Sequence, residues 1–166
     1  GMVEIENLKQ QVKLPDTTTM TCGANISSLK LENGSINLPP FKVKVRVAFL
    51  PMKVDFRMEQ LEPFTGTLYL DSIGTITMNG VVKSHFHVKK WGGKARTSTP
   101  VEMKLFFKGP IADFASGKMV LEGEAVIPKM ESMNALGGIV SMMSTSMMSG
   151  PVKYRYRVYP GDPYMY

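Results

Sequence analysis

The chain has 166 residues, 43% of them apolar and 20% charged, with a net charge of +6. That is the size of one domain with one sizeable core, and the composition excludes a disordered chain. Cys22 is the sole cysteine, so a disulfide-stapled scaffold is excluded and a reducing compartment is favoured.

Residues 1–26 read as an N-terminal extension. Val3-Glu4-Ile5 can pair as an edge strand, residues 7–14 fit a helical turn or two, and residues 15–25 read as loop. No basic segment followed by an apolar stretch marks a secretion signal. With Met2 as the natural start, the expected location is the cytoplasm. No run approaches the eighteen apolar residues that a membrane-spanning helix needs.

From 27 to 127 the dominant signal is period two, the mark of strands with one buried and one wet face. Residues 29–38 carry Asn33-Gly34 between Leu29/Leu31 and Ile36/Leu38, a hairpin signal because a tight turn needs positive φ. Residues 42–49 set Val43, Val45, Val47 and Phe49 against Lys42, Lys44 and Arg46. Residues 52–59 set Met52, Val54, Phe56 and Met58 against Lys53, Asp55, Arg57 and Glu59. Leu50-Pro51 between them predicts a tight turn, since proline cannot sit in a central strand.

Residues 65–90 predict a strand, a turn near Asp71–Gly74 and an unusually long strand. Ile76, Met78, Gly80, Val82, Phe86 and Val88 share one face of that strand. Glycine inside a strand marks a bend or bulge, which assigns bends to Gly80 and to Gly123. Residues 91–100 read as a polar loop and residues 108–117 as a connection. Residues 101–108 bury Val101, Met103, Leu105 and Phe107, and residues 118–127 bury Met119, Leu121, Ala125 and Ile127. Residues 152–159 turn Val152, Tyr154, Tyr156 and Val158 inward and Lys153, Arg155 and Arg157 outward. About nine one-sided strands favour an antiparallel sheet over a parallel one.

Residues 128–150 break the alternation. Met133, Leu136, Val140, Met143 and Met147 fall three and four apart, one face of a helix. The Gly137-Gly138 pair weakens that helix by about 1 kcal/mol per glycine, and Gly150-Pro151 stops it. Residues 151–166 are then the last strand and a tail.

No motif supports catalysis. No Gly-x-Ser-x-Gly elbow, Walker A loop or Gly-x-Gly-x-x-Gly turn is present. His85 and His87 leave one strand face together, but Lys83 and Lys89 flank them and repel a cation. No cluster has zinc spacing, so no catalytic residue, metal or cofactor is expected. In residues 153–157 the tyrosines and the cations face opposite ways, so a nucleic-acid platform is not expected either. If that strand neighbours the one carrying Lys42, Lys44 and Arg46, the outer surface carries a basic stripe able to attract anionic lipid or nucleic acid.

Met130, Met133, Met142, Met143, Met147 and Met148 admit three uses. Thioethers can chelate copper(I). They can fill irregular core gaps, or they can form an adaptable apolar surface. A Met-lined helix beside a curved sheet makes a lid for a hydrophobic ligand. The order of elements, many antiparallel strands with one late helix and a final strand, resembles lipocalin-like barrels, although the early Gly-x-Trp of that family is absent. Residues 74–83, GTITMNGVVK, are similar to a strand-turn motif of the YceI-like family. That resemblance implies a barrel that binds isoprenoid lipid.

The expected fold is therefore mainly β, an antiparallel barrel or strongly curved sheet of lipocalin-like architecture with one Met-rich helix near the C-terminus. The expected function is non-enzymatic binding of an apolar small molecule or lipid in a β-lined cavity. Phe56, Met58, Met78, Phe86, Met103, Phe107, Met143 and Met147 are the candidate lining. The alternative is an assembly subunit, possible as a homo-oligomer, that uses the Met-rich helix and strand edges for protein contacts.

Overall fold

The computed structural model describes the backbone of residues 2–5, 10–13, 19–25, 29–47, 50–116 and 119–160. Side chains are described for 29–44, 52–113, 120–146 and 149–155. The strands are β1 (Met2–Ile5), β2 (Gln10–Lys13), β3 (Thr19–Asn25), β4 (Lys30–Asn37), β5 (Phe41–Val47), β6 (Leu50–Gln60), β7 (Phe64–Leu70), β8 (Thr75–Lys90), β9 (Gly93–Thr97), β10 (Val101–Pro110), β11 (Met119–Ile127), β12 (Met130–Ser132) and β13 (Gly150–Pro160). Two helices interrupt them, α1 (Ile111–Ser116) and α2 (Gly137–Met148). The fold is mainly β and its sheet antiparallel, as the alternation predicts.

The main path through the sheet runs β10-β11-β13-β3-β4-β7-β8-β6-β5. The sheet is not closed into a barrel. Among the described residues β13 and β3 pair in parallel, Tyr159 with Thr19 and Pro160 with Met20.

The 16-residue β8 organises the sheet. Its first part lies between β7 and β10, and its last residues lie between β6 and β9. Ser84 takes part in both regions, opposite Val101 of β10 and Gln60 of β6. Thus β7 and β6 follow one another along one edge of β8, and β10 and β9 along the other. The expected turn before β8 is present. Asp71 Oδ1 accepts from the Ile73 and Thr75 amides at 3.0 and 2.9 Å, and Gly74 takes φ 84°.

The inward positions of each strand form one core that includes Leu31, Val54, Phe64, Met78, Val82, Leu105, Leu121 and Val140. Each such side chain taken from water contributes about 1.5–3 kcal/mol. Helix α2 packs on β9 and β12, with fewer contacts to β8.

Several expectations need correction. Residues 10–13 are strand β2 rather than helix, and most of the stretch read as loop is β3; tertiary pairing overrides the weak local signal there. Asn33-Gly34 makes no hairpin, because β4 runs straight through it. Asn33 takes φ 53°, and the ladder to β7 shifts between Leu31 and Gly34, so the pair forms a bulge. Gln60 satisfies backbone groups around it, accepting from the Ile36 amide and donating to the Gly34 carbonyl, both at 2.9 Å.

Pro51 lies inside β6, opposite Arg46. Pairing of β6 with β8 begins only at Asp55, so on that side no ladder donor is lost at the proline. Half of the expected loop 91–100 is β9, and the connection 108–117 contains α1. The expected helix 128–150 begins only at Gly137, after strand β12, so the glycine pair starts α2 instead of bending its middle. Strands β5 and β13 are not neighbours on the path, so the basic stripe imagined across them does not form.

Candidate functional site

A trough of about 910 Å³ crosses five adjacent strands. It takes three consecutive residues from each of β7, β8, β10, β11 and β13. One row across the strands reads Thr67, Asn79, Phe106, Glu122 and Arg155, each opposite the next in register. The other holds Thr65, Val81 and Lys104, then Glu124 and Lys153. Both rows are solvent-exposed. Between them runs a row turned to the core: Gly66, Gly80, Leu105, Gly123 and Tyr154. At strand spacing the trough is about 19 Å long.

Glycine is required in that middle row by close approach of neighbouring backbone. A Cβ on Gly66 would fall 2.3 Å from the Asn79 carbonyl oxygen, and one on Gly123 only 1.9 Å from that of Lys104. The Tyr154 ring lies against Gly123, its register partner. Its hydroxyl donates to the Lys104 carbonyl, an aromatic cover for a strand glycine. Burial pushes the Tyr154 phenol well above the ordinary range.

The trough surface is chiefly apolar. Val81 is 42% and Phe106 40% exposed, although both occupy outward positions where alternation calls for polar residues. The rims are charged with both signs, and Arg155 pairs with Glu122 at 3.3 Å. The sequence does carry the signal for these two residues: the doublets Val81-Val82 and Phe106-Phe107 each put one apolar residue on the wet face.

The expected lining residues lie elsewhere. Phe56, Met78, Phe86 and Phe107 are buried in the core, and Met58, Met103 and Met143 pack against it. Phe56 and Phe86 meet edge-on, with centroids 5.2 Å apart. None of these residues lines the trough. The Met147 side chain lies outside the described residues.

A second polar group sits on the outer face where β6, β8, β9 and β12 meet. Arg57, His87, Arg96 and Glu131 stand opposite one another in register. His87 Nε2 lies 3.0 Å from Glu59 Oε1, and Arg96 is 3.1 Å from Glu131. Burial holds the His87 imidazolium below its ordinary value, against the opposing hydrogen bond to Glu59. That same bond holds the Glu59 carboxyl low. The group reads as a cross-strand ladder of charged and polar side chains. Among the described residues no cluster of three or more His, Cys, Asp or Glu is placed to hold a metal.

Helix α2 presents an unusual distribution. Val140 and the hydroxyl-bearing Ser144 are fully buried, whereas Leu136 just before the helix, Ile139 and Met142 are 63%, 71% and 76% exposed. The predicted single apolar face is therefore split. Val140 and Met143 turn to the core, while Met133 and Leu136 lie at the surface. No helix among the described residues is long and apolar enough to cross a membrane. Compared with models of known families, with characterised proteins and with solved structures, the chain matches none significantly.

Proposed function

We propose that this protein is a non-enzymatic binder of a hydrophobic small molecule or lipid, held along the five-strand trough. The supporting observation is that outward Val81 and Phe106 flank the backbone of a middle row in which three of the five residues are glycine. Exposed apolar side chains in a concave surface lower their free energy by covering one another with a ligand. The charged rims suit an amphiphile whose polar end stays in water. In this reading the sheet wraps in a lipocalin-like way. Strand β8 bonds β10 as well as β7, which curls the path back on itself without closing it into a barrel.

A second reading keeps the ligand on the inner face, among Phe56, Met58, Met78, Phe86, Met103, Phe107 and Met143, under a lid formed by α2. It is favoured by Ser84 and Ser144, whose buried hydroxyls have no hydrogen-bond partner among the described residues. Displacement of a fluorescent fatty-acid probe, together with native mass spectrometry, separates the two. Trough binding predicts saturable uptake that Phe106→Glu weakens on the order of tenfold or more, from lost apolar contact and added charge. Met143→Ala leaves it unchanged. Absence of any uptake contradicts the proposal, and uptake lost only in Met143→Ala moves the site beneath α2.

A further inference from the structure

The turn between β8 and β9 puts Trp91 at the surface, 65% exposed and with φ 51°. The segment leading into α2 is fastened beside it. Asn134 donates to the Gly92 carbonyl and accepts from the Lys94 amide, both at 3.0 Å, and the Met133 amide donates to the Lys94 carbonyl at 2.8 Å. A Cβ on Gly92 would stand 3.4 Å from Leu136 Cδ1. Leu136 therefore lies beside the turn that carries Trp91, and Met133, Ile139 and Met142, just before it and on the helix that follows, are exposed as well. Exposed apolar side chains gathered on one surface are a feature of interaction sites.

The surrounding charge narrows the partner. Trp91 also lines a recess of about 400 Å³ with Met52, Lys44, Lys53 and Lys90, and no acidic side chain is among the described residues that line it. Lys44 and Lys53 stand directly opposite each other on β5 and β6, an arrangement that costs stability on its own. Lys90 lies 5.3 Å above the Trp91 ring. Ammonium groups gathered around a recess offer a place for phosphate. An indole, aliphatic side chains and lysines combined in one patch match the interface of a bilayer. There indole sits at the headgroup level, apolar side chains enter the acyl boundary, and cations meet anionic lipid.

We propose that this patch docks the protein on an anionic membrane surface, with Trp91, Leu136, Ile139 and Met142 entering the interface and Lys44, Lys53 and Lys90 holding lipid phosphate. The inference is independent of the trough, which lies on other strands except for part of β8. Trp91 is the sole tryptophan, so its emission reports the contact directly.

The test is fluorescence and co-flotation of the full chain with phosphatidylcholine vesicles, with and without phosphatidylglycerol. With phosphatidylglycerol the emission shifts to the blue, the protein floats, and both effects fade as salt is raised. Pure phosphatidylcholine gives neither. The Lys44→Glu/Lys53→Glu double variant, on exposed positions, lowers the partition coefficient on the order of a hundredfold or more. Ile139→Ser/Met142→Ser weakens it with the salt dependence retained. Lack of a shift with either vesicle overturns the proposal. So does a blue shift that grows with protein concentration without vesicles, accompanied by a dimer in light scattering, because the patch then belongs to a second copy.

Discussion

Gly123 and His87 show how single residues are fixed by what lies across the strand. At Gly123 the Lys104 carbonyl and the Tyr154 ring fill the volume a methyl group would need. Gly123→Ala is therefore expected to cost about 3 kcal/mol, seen as a fall of roughly 10 °C in the unfolding midpoint. An unchanged midpoint in calorimetry would refute the close approach. His87 packs among Glu59 and Arg57 of β6, Arg96 of β9 and His85 of its own strand.

The folded pKa of His87 lies below its unfolded value, so the unfolded chain binds more protons on acidification. Stability from this site is present above about pH 6.5 and is lost as pH falls through the unfolded and then the folded value. The depressed Glu59 carboxyl acts in the same direction at lower pH. Urea midpoints measured from pH 7.5 to pH 5.5 should fall in the natural protein and fall less in His87→Gln; equal slopes would show that His87 does not titrate on unfolding.

Among the elements, the most legible were those with long, one-sided alternation. Strands β6, β8, β10 and β11 follow it, and the turn before β8 was readable from Asp71 and Gly74. Of the short strands, β1 was readable from Val3-Glu4-Ile5, but β2 and β3 were not: they carry lysine, glutamine and threonine, and they form because neighbours offer them a ladder. Asn33-Gly34 misled because positive φ serves a bulge as well as a hairpin. Helix α2 was legible as a helix but not in its orientation. Its spacing pointed to one apolar face, while its packing buries Gly137, Val140 and Ser144 and leaves Ile139 and Met142 at the surface.

That orientation is testable. Val140→Ala should destabilise by about 2 kcal/mol through a core void. Ser144→Ala should be neutral or slightly stabilising, since it removes a buried hydroxyl that bonds no group among the described residues. Chemical denaturation of both variants checks this, and a large loss for Ser144→Ala would show that the hydroxyl is satisfied.

For the molecule as a whole, the alternation correctly sorted residues to two faces of a sheet but could not say which face would matter. The expected lining, from Phe56 to Met143, went to the core because inward apolar side chains pack against one another whenever the strands curve enough. The trough arises on the other side, from a row of inward glycines and two outward apolar residues, a pattern visible only once the strands are aligned. The proposed apolar ligand along that row can be traced by photo-crosslinking with a diazirine fatty acid, followed by peptide mapping. Saturable labelling should fall on the segments holding Val81 and Phe106; labelling confined to Phe56, Phe86 and α2, or none that saturates, would contradict it.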